Sequence, residues 1–231
     1  MCSWHLPRDC ESADLPVAPN DQTNLTPTMS SPADTPTRES TLQLMQEYTQ
    51  SDSLRKHMLA VEAAMRAYAD RFGEDADRWG VTGLIHDFDY ERFPNEAHSP
   101  VDEHPAEGVR ILRSRGFPED ILEAILGHAN YSGVPRVSKM AKTLYAVDEL
   151  TGLITATALV KPSRSVMEVE ARSVRKKMKD KAFARGVNRD DVIGGAADLG
   201  VDLDEHIAFV ISAMQRVAGD LGLAGSSAGE H

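Results

Sequence analysis

Residues 53–72, SLRKHMLAVEAAMRAYADRF, decide the fold. Leu54, Met58, Val61, Met65 and Tyr68 recur at spacings of three and four, the period of an α-helix that buries one face. His57 lies on the face shared with Val61, Ala64 and Tyr68, so this helix carries an imidazole towards the interior. The same periodicity continues on both sides. It predicts a short helix over 41–48 and, downstream, helices over 77–86 and over 105–115, the latter closed by Gly116. Pro118 opens a helix over 119–129, as a first-turn proline should. A long helix over 137–159 stops near Pro162, and three more follow over 166–181, 189–199 and 204–221. Few segments alternate with period two, so the expected fold class is all-α, a helical bundle with extra C-terminal helices.

At 231 residues the chain is long enough for one well-buried domain. Residues 1–39 are rich in Pro, Ser, Thr, Asp and Asn and offer little to bury, so they are expected to form a disordered tail. Met29 would serve equally well as a start. The helical domain is expected over 40–223, and the Gly- and Ser-rich end, 224–231, is expected to fray. Cys2 and Cys10, both in the tail, are the only cysteines, which excludes a disulfide framework for the domain. No apolar run approaches the roughly 18–20 residues needed to cross a bilayer, and the first residues lack the layout of a secretion signal. A cytoplasmic location and no membrane partner are the resulting expectations.

The net charge of −11 argues against a general nucleic-acid binder. Between Lys161 and Arg185, however, nine basic residues face three acidic ones, a local balance of +6 that leaves −17 for the rest. Such an island reads either as an anion-binding surface or as a solvated helix face.

Four histidines and two aspartates stand at positions where chemistry is expected. His86 follows the apolar run 81–85 and precedes Asp87; His128 continues the inward face of Ile121, Leu122 and Ile125. His104 opens a predicted helix, and Asp148 shares its face with Leu144, Tyr145 and Thr151 in an otherwise apolar segment. Taken singly, each histidine reads as a hydrogen-bonded core residue. Burying several imidazoles and carboxylates on successive helices is costly, and a shared metal ion compensates that cost.

His57, the pair His86-Asp87, and Asp148 on a later helix resemble, in this order, the H…HD…D signature of the HD superfamily. The resemblance covers about residues 53–155 and leaves 156–223 as an extension. His104-Pro105 with Gly108, and His128 followed by Tyr131, Gly133 and Pro135, resemble the corresponding helices of HD-GYP and HDIG proteins. This branch implies a second metal site. His57, His86, Asp87 and Asp148 would hold one ion, and Asp87, His104 and His128 the other. Gly133-Val134-Pro135 stands where HD-GYP enzymes have Gly-Tyr-Pro, which argues against a cyclic dinucleotide substrate. The six-ligand layout also resembles small HD hydrolases of dinucleoside tetraphosphates, which makes a nucleotide a candidate substrate.

The resemblance implies a phosphohydrolase that cleaves a phosphoester of a nucleotide or other small phosphorylated metabolite, mono- or diester. The attacking group would be a metal-bound hydroxide oriented by Asp87. Mixed imidazole and carboxylate ligands suit Mn²⁺, Fe²⁺, Co²⁺ or Zn²⁺, with two ions expected. Lys142, Lys161, Arg164, Arg175 and Lys176 are candidates for phosphate contact beyond the metals. Asp89 and His98 read as exposed loop positions, alternatively as lining an entrance, and Glu62 and Glu149 are candidate supports of the ligands. Two competing functions are a di-iron oxygenase of the same superfamily, which uses a similar ligand set, and a non-catalytic sensor module.

Overall fold

The computed structural model describes residues 36–225. Among them are nine α-helices, two short 3-10 turns and no strand, so the fold is all-α. In chain order the helices are α1 (Arg38–Tyr48), α2 (Asp52–Phe72), α3 (Ala76–Ile85), α4 (Ala106–Ser114) and α5 (Glu119–His128). They are followed by α6 (Lys139–Leu159), α7 (Ala171–Met178), α8 (Arg189–Leu199) and α9 (Leu203–Arg216).

Local chemistry explains several of the helix ends. Ser51, Asp75, Ser138, Asn188 and Asp202 each accept a hydrogen bond from a first-turn amide of α2, α3, α6, α8 and α9 respectively. Gly73 ends α2 at φ +69°, in the left-handed region where a side chain would be strained.

The two longest helices, α2 and α6, pack against each other at the centre. Around them α3 and α9 pack on α2, α5 and α8 on α6, and α7 on α9. Met58, Val61, Met65 and Tyr68 of α2 meet Leu144, Val147, Leu150 and Ile154 of α6 in one buried cluster. Each of these side chains stabilises the fold by about 1.5–3 kcal/mol through burial. Gly83 lets α3 approach α2 closely, because a Cβ there would lie 3.0 Å from the Glu62 amide nitrogen. That approach brings the C-terminal end of α3, and with it His86 and Asp87, alongside His57.

The expected helices are present, the last ending at Arg216 rather than at 221, and three further differences are informative. The tail expected to end at 39 gives way to helix at Arg38, whose guanidinium makes a two-pronged ion pair with the buried Glu62 at 2.6 and 3.0 Å. The rest of the expected tail lies outside the described residues, as does 226–231 of the expected C-terminal tail. The basic helix expected over 166–181 is shorter, running from Ala171 to Met178 behind a 3-10 turn at Val166–Glu168. Val166 and Val169 are buried there, and the Val166 amide donates to the Leu223 carbonyl at 2.9 Å, which holds this segment out of the helix. Ala224, in the segment expected to fray, accepts a hydrogen bond from Ser165 Oγ at 3.1 Å. No helix among the described residues is long and apolar enough to cross a membrane.

Candidate metal centre

Four helix termini and the middle of α6 bring the six expected donors together. His57 comes from the second turn of α2, His86 and Asp87 from the end of α3, His128 from the end of α5, and Asp148 from mid-α6. His104 stands just before α4. His57, His86, Asp87 and Asp148 offer ligand atoms that all lie within 4.8 Å of one another, and so do Asp87, His104 and His128. Asp87 belongs to both groups. Its Oδ1 lies 3.4 Å from His86 Nε2, 3.3 Å from His104 Nε2 and 3.5 Å from His128 Nε2, while Oδ2 lies 3.7 Å from His57 Nε2. Asp148 Oδ1 lies 3.0 Å from His57 Nε2 and 3.4 Å from His86 Nε2.

The far side of each ring fixes its tautomer. His86 Nδ1 faces the Gly83 carbonyl at 2.8 Å, His104 Nδ1 faces Asp89 Oδ1 at 2.8 Å, and His128 Nδ1 faces the Ile125 carbonyl. These partners only accept, so each Nδ1 carries the hydrogen. Thr151 donates its hydroxyl hydrogen to the Asp148 carbonyl at 2.8 Å, leaving its oxygen to accept from His57 Nδ1 at 3.4 Å. In the neutral rings the Nε2 atoms of His86, His104 and His128 therefore point lone pairs inward, while His57 Nε2 lies within hydrogen-bonding distance of Asp148 Oδ1, at 3.0 Å. His104 Nε2 and His128 Nε2 face each other at 3.2 Å, and His86 Nε2 is buried with no hydrogen-bond partner. Lone pairs opposed to lone pairs and carboxylates repel unless positive charge lies between them. Divalent cations at the two donor groups satisfy that requirement, so the residues fit a metal centre.

The titration behaviour has the same cause. Burial works against the charged form of His86, yet Asp87 and Asp148 outweigh it and raise its pKa. Burial likewise opposes charge on His104, and Asp89 and Asp87 raise its pKa above the ordinary value. Burial pushes the carboxyl groups of Asp87 and Asp148 upward, but the surrounding imidazoles hold both well below the usual range. Glu149, beside Asp148, is pushed up to about 7, first by burial and then by the charges of Asp148 and Asp191.

The centre opens into a cavity of about 670 Å³. Tyr90, Asn95, His98 and Tyr131 form one wall. Tyr90 donates to Asn95, Asn95 to the Tyr131 hydroxyl, and Tyr131 to the His104 carbonyl, at 3.0, 3.0 and 2.7 Å. Glu149, Asn130, Asn188 and Asp191 line it as well.

Several residues sit differently from their expected places. Asp89 is fully buried, not exposed. Besides His104 it accepts from the Gly108 amide at 2.8 Å, and a Cβ on Gly108 would lie 2.5 Å from its carboxyl carbon. Sequence reading missed this because the partners lie 15 and 19 residues away. His98 is exposed and lines the cavity, its ring 4.9 Å from that of Tyr131. Glu62 is held by Arg38 and Arg66 and is absent from the cavity lining. Lys142, Lys161, Arg164, Arg175 and Lys176 are also absent from that lining. Arg175 and Lys176 border a separate depression with Asp204, to which Arg175 is paired at 2.9 Å, and Lys161 borders another. Asn188 and Asp191, at the start of α8, had no signal in the sequence beyond helix capping.

Residues 54–153 match the family model of the HD domain. That segment contains all six donors and the whole of α3, α4 and α5, so residues 54–153 form an HD domain. No curated protein and no solved structure matches the chain.

Proposed function

We propose that this chain is a metal-dependent phosphohydrolase that cleaves a phosphoester of a small phosphorylated metabolite. The observation that carries this reading is the convergence of four imidazole Nε2 atoms on two carboxylates, with His86 Nε2 buried and unpartnered. His57, His86, Asp87 and Asp148 would hold one divalent ion, and Asp87, His104 and His128 a second. Such ions supply an activated water and neutralise charge on the phosphoryl oxygens.

The protein's own part is positioning. Asp87 turns one oxygen to three imidazoles and the other to His57, so it ties the two donor groups together and is placed to accept a hydrogen bond from the attacking water. Asp89, the Gly83 and Ile125 carbonyls and Thr151 hold the imidazoles in the ligating tautomer. Mn²⁺, Fe²⁺, Co²⁺ and Zn²⁺ all suit such donors.

The test is phosphate release from a panel of phosphomonoesters, phosphodiesters and nucleotides, after chelator treatment and reloading with Mn²⁺ or, anaerobically, Fe²⁺. Release should depend on metal and fall about a thousandfold or more in Asp87→Ala. Oxygen uptake by the iron-loaded protein, with no phosphate released, would replace this reading by the oxygenase one.

A further inference from the structure

The charges around the cavity are one-sided. Among the described residues, its titratable acids and bases apart from the six donors are Glu149, Asp191, His98 and the tyrosines, and no lysine or arginine lines it. Elsewhere in the fold, the buried carboxylate of Glu62 has two cationic partners, Arg38 and Arg66. Glu149 and Asp191, both half-buried, make no ion pair with a lysine or arginine among the described residues. Asp191 Oδ1 is held by the Tyr145 hydroxyl at 2.8 Å and the Asn130 amide at 3.1 Å, which fixes the carboxylate at the cavity wall. The nearby Arg136 does not serve as its partner. It stacks on the Tyr145 ring at 3.6 Å and donates to the Gly127 carbonyl and Asn130.

This pattern selects among phosphorylated substrates. Two divalent ions held by two aspartates leave a positive surplus that one phosphoryl dianion matches. A further phosphate would find no cation in the lining and would face Glu149 and Asp191. A positively charged tail would instead meet two carboxylates that have no other counter-charge. Resting on the phosphohydrolase reading, we infer that the site takes a small phosphomonoester bearing one phosphoryl group and an amine tail. The phosphoryl group faces the six-donor centre, and the ammonium faces Glu149 and Asp191.

Non-hydrolysable probes separate this inference from turnover. The full chain, reloaded with Mn²⁺, is titrated calorimetrically with 3-aminopropylphosphonate, its equal-length partner 3-hydroxypropylphosphonate, and ADP. The amine should bind about tenfold more tightly than the alcohol, and ADP more weakly than the amine. In Glu149→Gln and in Asp191→Asn the amine-to-alcohol ratio should shrink towards one. A wild-type ratio at or below one, tighter binding of ADP, or binding of neither phosphonate overturns the inference. Selective amine binding without phosphate release from 3-aminopropyl phosphate supports the inference and sinks the hydrolase reading.

Discussion

Two histidines, His86 and His206, are equally inaccessible and differently employed. Both are 0% exposed. His206 Nδ1 accepts from the Tyr68 hydroxyl at 2.6 Å, and its Nε2 donates to the Ala146 carbonyl at 2.9 Å, so both ring nitrogens are satisfied. Burial lowers its pKa, and the neutral ring serves as a strut between α2, α6 and α9. His86 has one satisfied nitrogen, while the other points at two carboxylates without a hydrogen bond. Burial therefore does not identify a metal ligand. An unmet ring nitrogen beside two carboxylates is what marks His86 as a candidate.

The largest effects that would sharpen this contrast come from exchanging the two residues for alanine. His86→Ala should lower metal-dependent turnover about a thousandfold. His206→Ala should cost about 2–4 kcal/mol in denaturant unfolding, since it leaves a cavity and an orphaned Tyr68 hydroxyl, with metal content unchanged. The pH signature follows from the lowered pKa of His206. Above the unfolded value of about 6.5 its contribution to stability is complete. As pH falls towards the lower folded value, the unfolded state takes up the proton first and that contribution is lost. His206→Ala should lack this component of the pH–stability profile. Equal metal loss in the two variants would break the contrast.

A smaller effect is expected at Asp89. Asp89→Asn keeps an acceptor for the Gly108 amide but removes the charge that orients His104. Metal affinity at the Asp87–His104–His128 group should fall about 10–100-fold, with little change at the other group. A uniform loss at both groups, or unfolding, would mean that Asp89 holds the loop rather than the ligand.

The helices and six donors were legible in the sequence because each donor sits on, or beside, a helix with strong apolar periodicity. His57 and Asp148 interrupt apolar faces, and His86-Asp87 follows the largely apolar run 81–85. Asp89 was illegible for a physical reason: two residues past the HD pair, its burial depends on His104 and Gly108, which only the fold brings near. The local charge balance counted the basic island without locating it. Arg175 and Lys176 turn to a different depression, while Asp191, three residues past the helix-capping Asn188, lines the cavity from α8. Packing across α6 decides which α8 residues reach the cavity, and no periodicity within α8 reports that.

The most direct test of the central claim is the metal content of the chain after chelator treatment, reloading with Mn²⁺ and removal of free ion, with His104→Ala/His128→Ala measured in parallel. Two donor groups sharing Asp87 predict two ions per wild-type chain and one in the double variant. A wild-type chain that keeps no ion, or a content the double substitution leaves unchanged, would contradict the account.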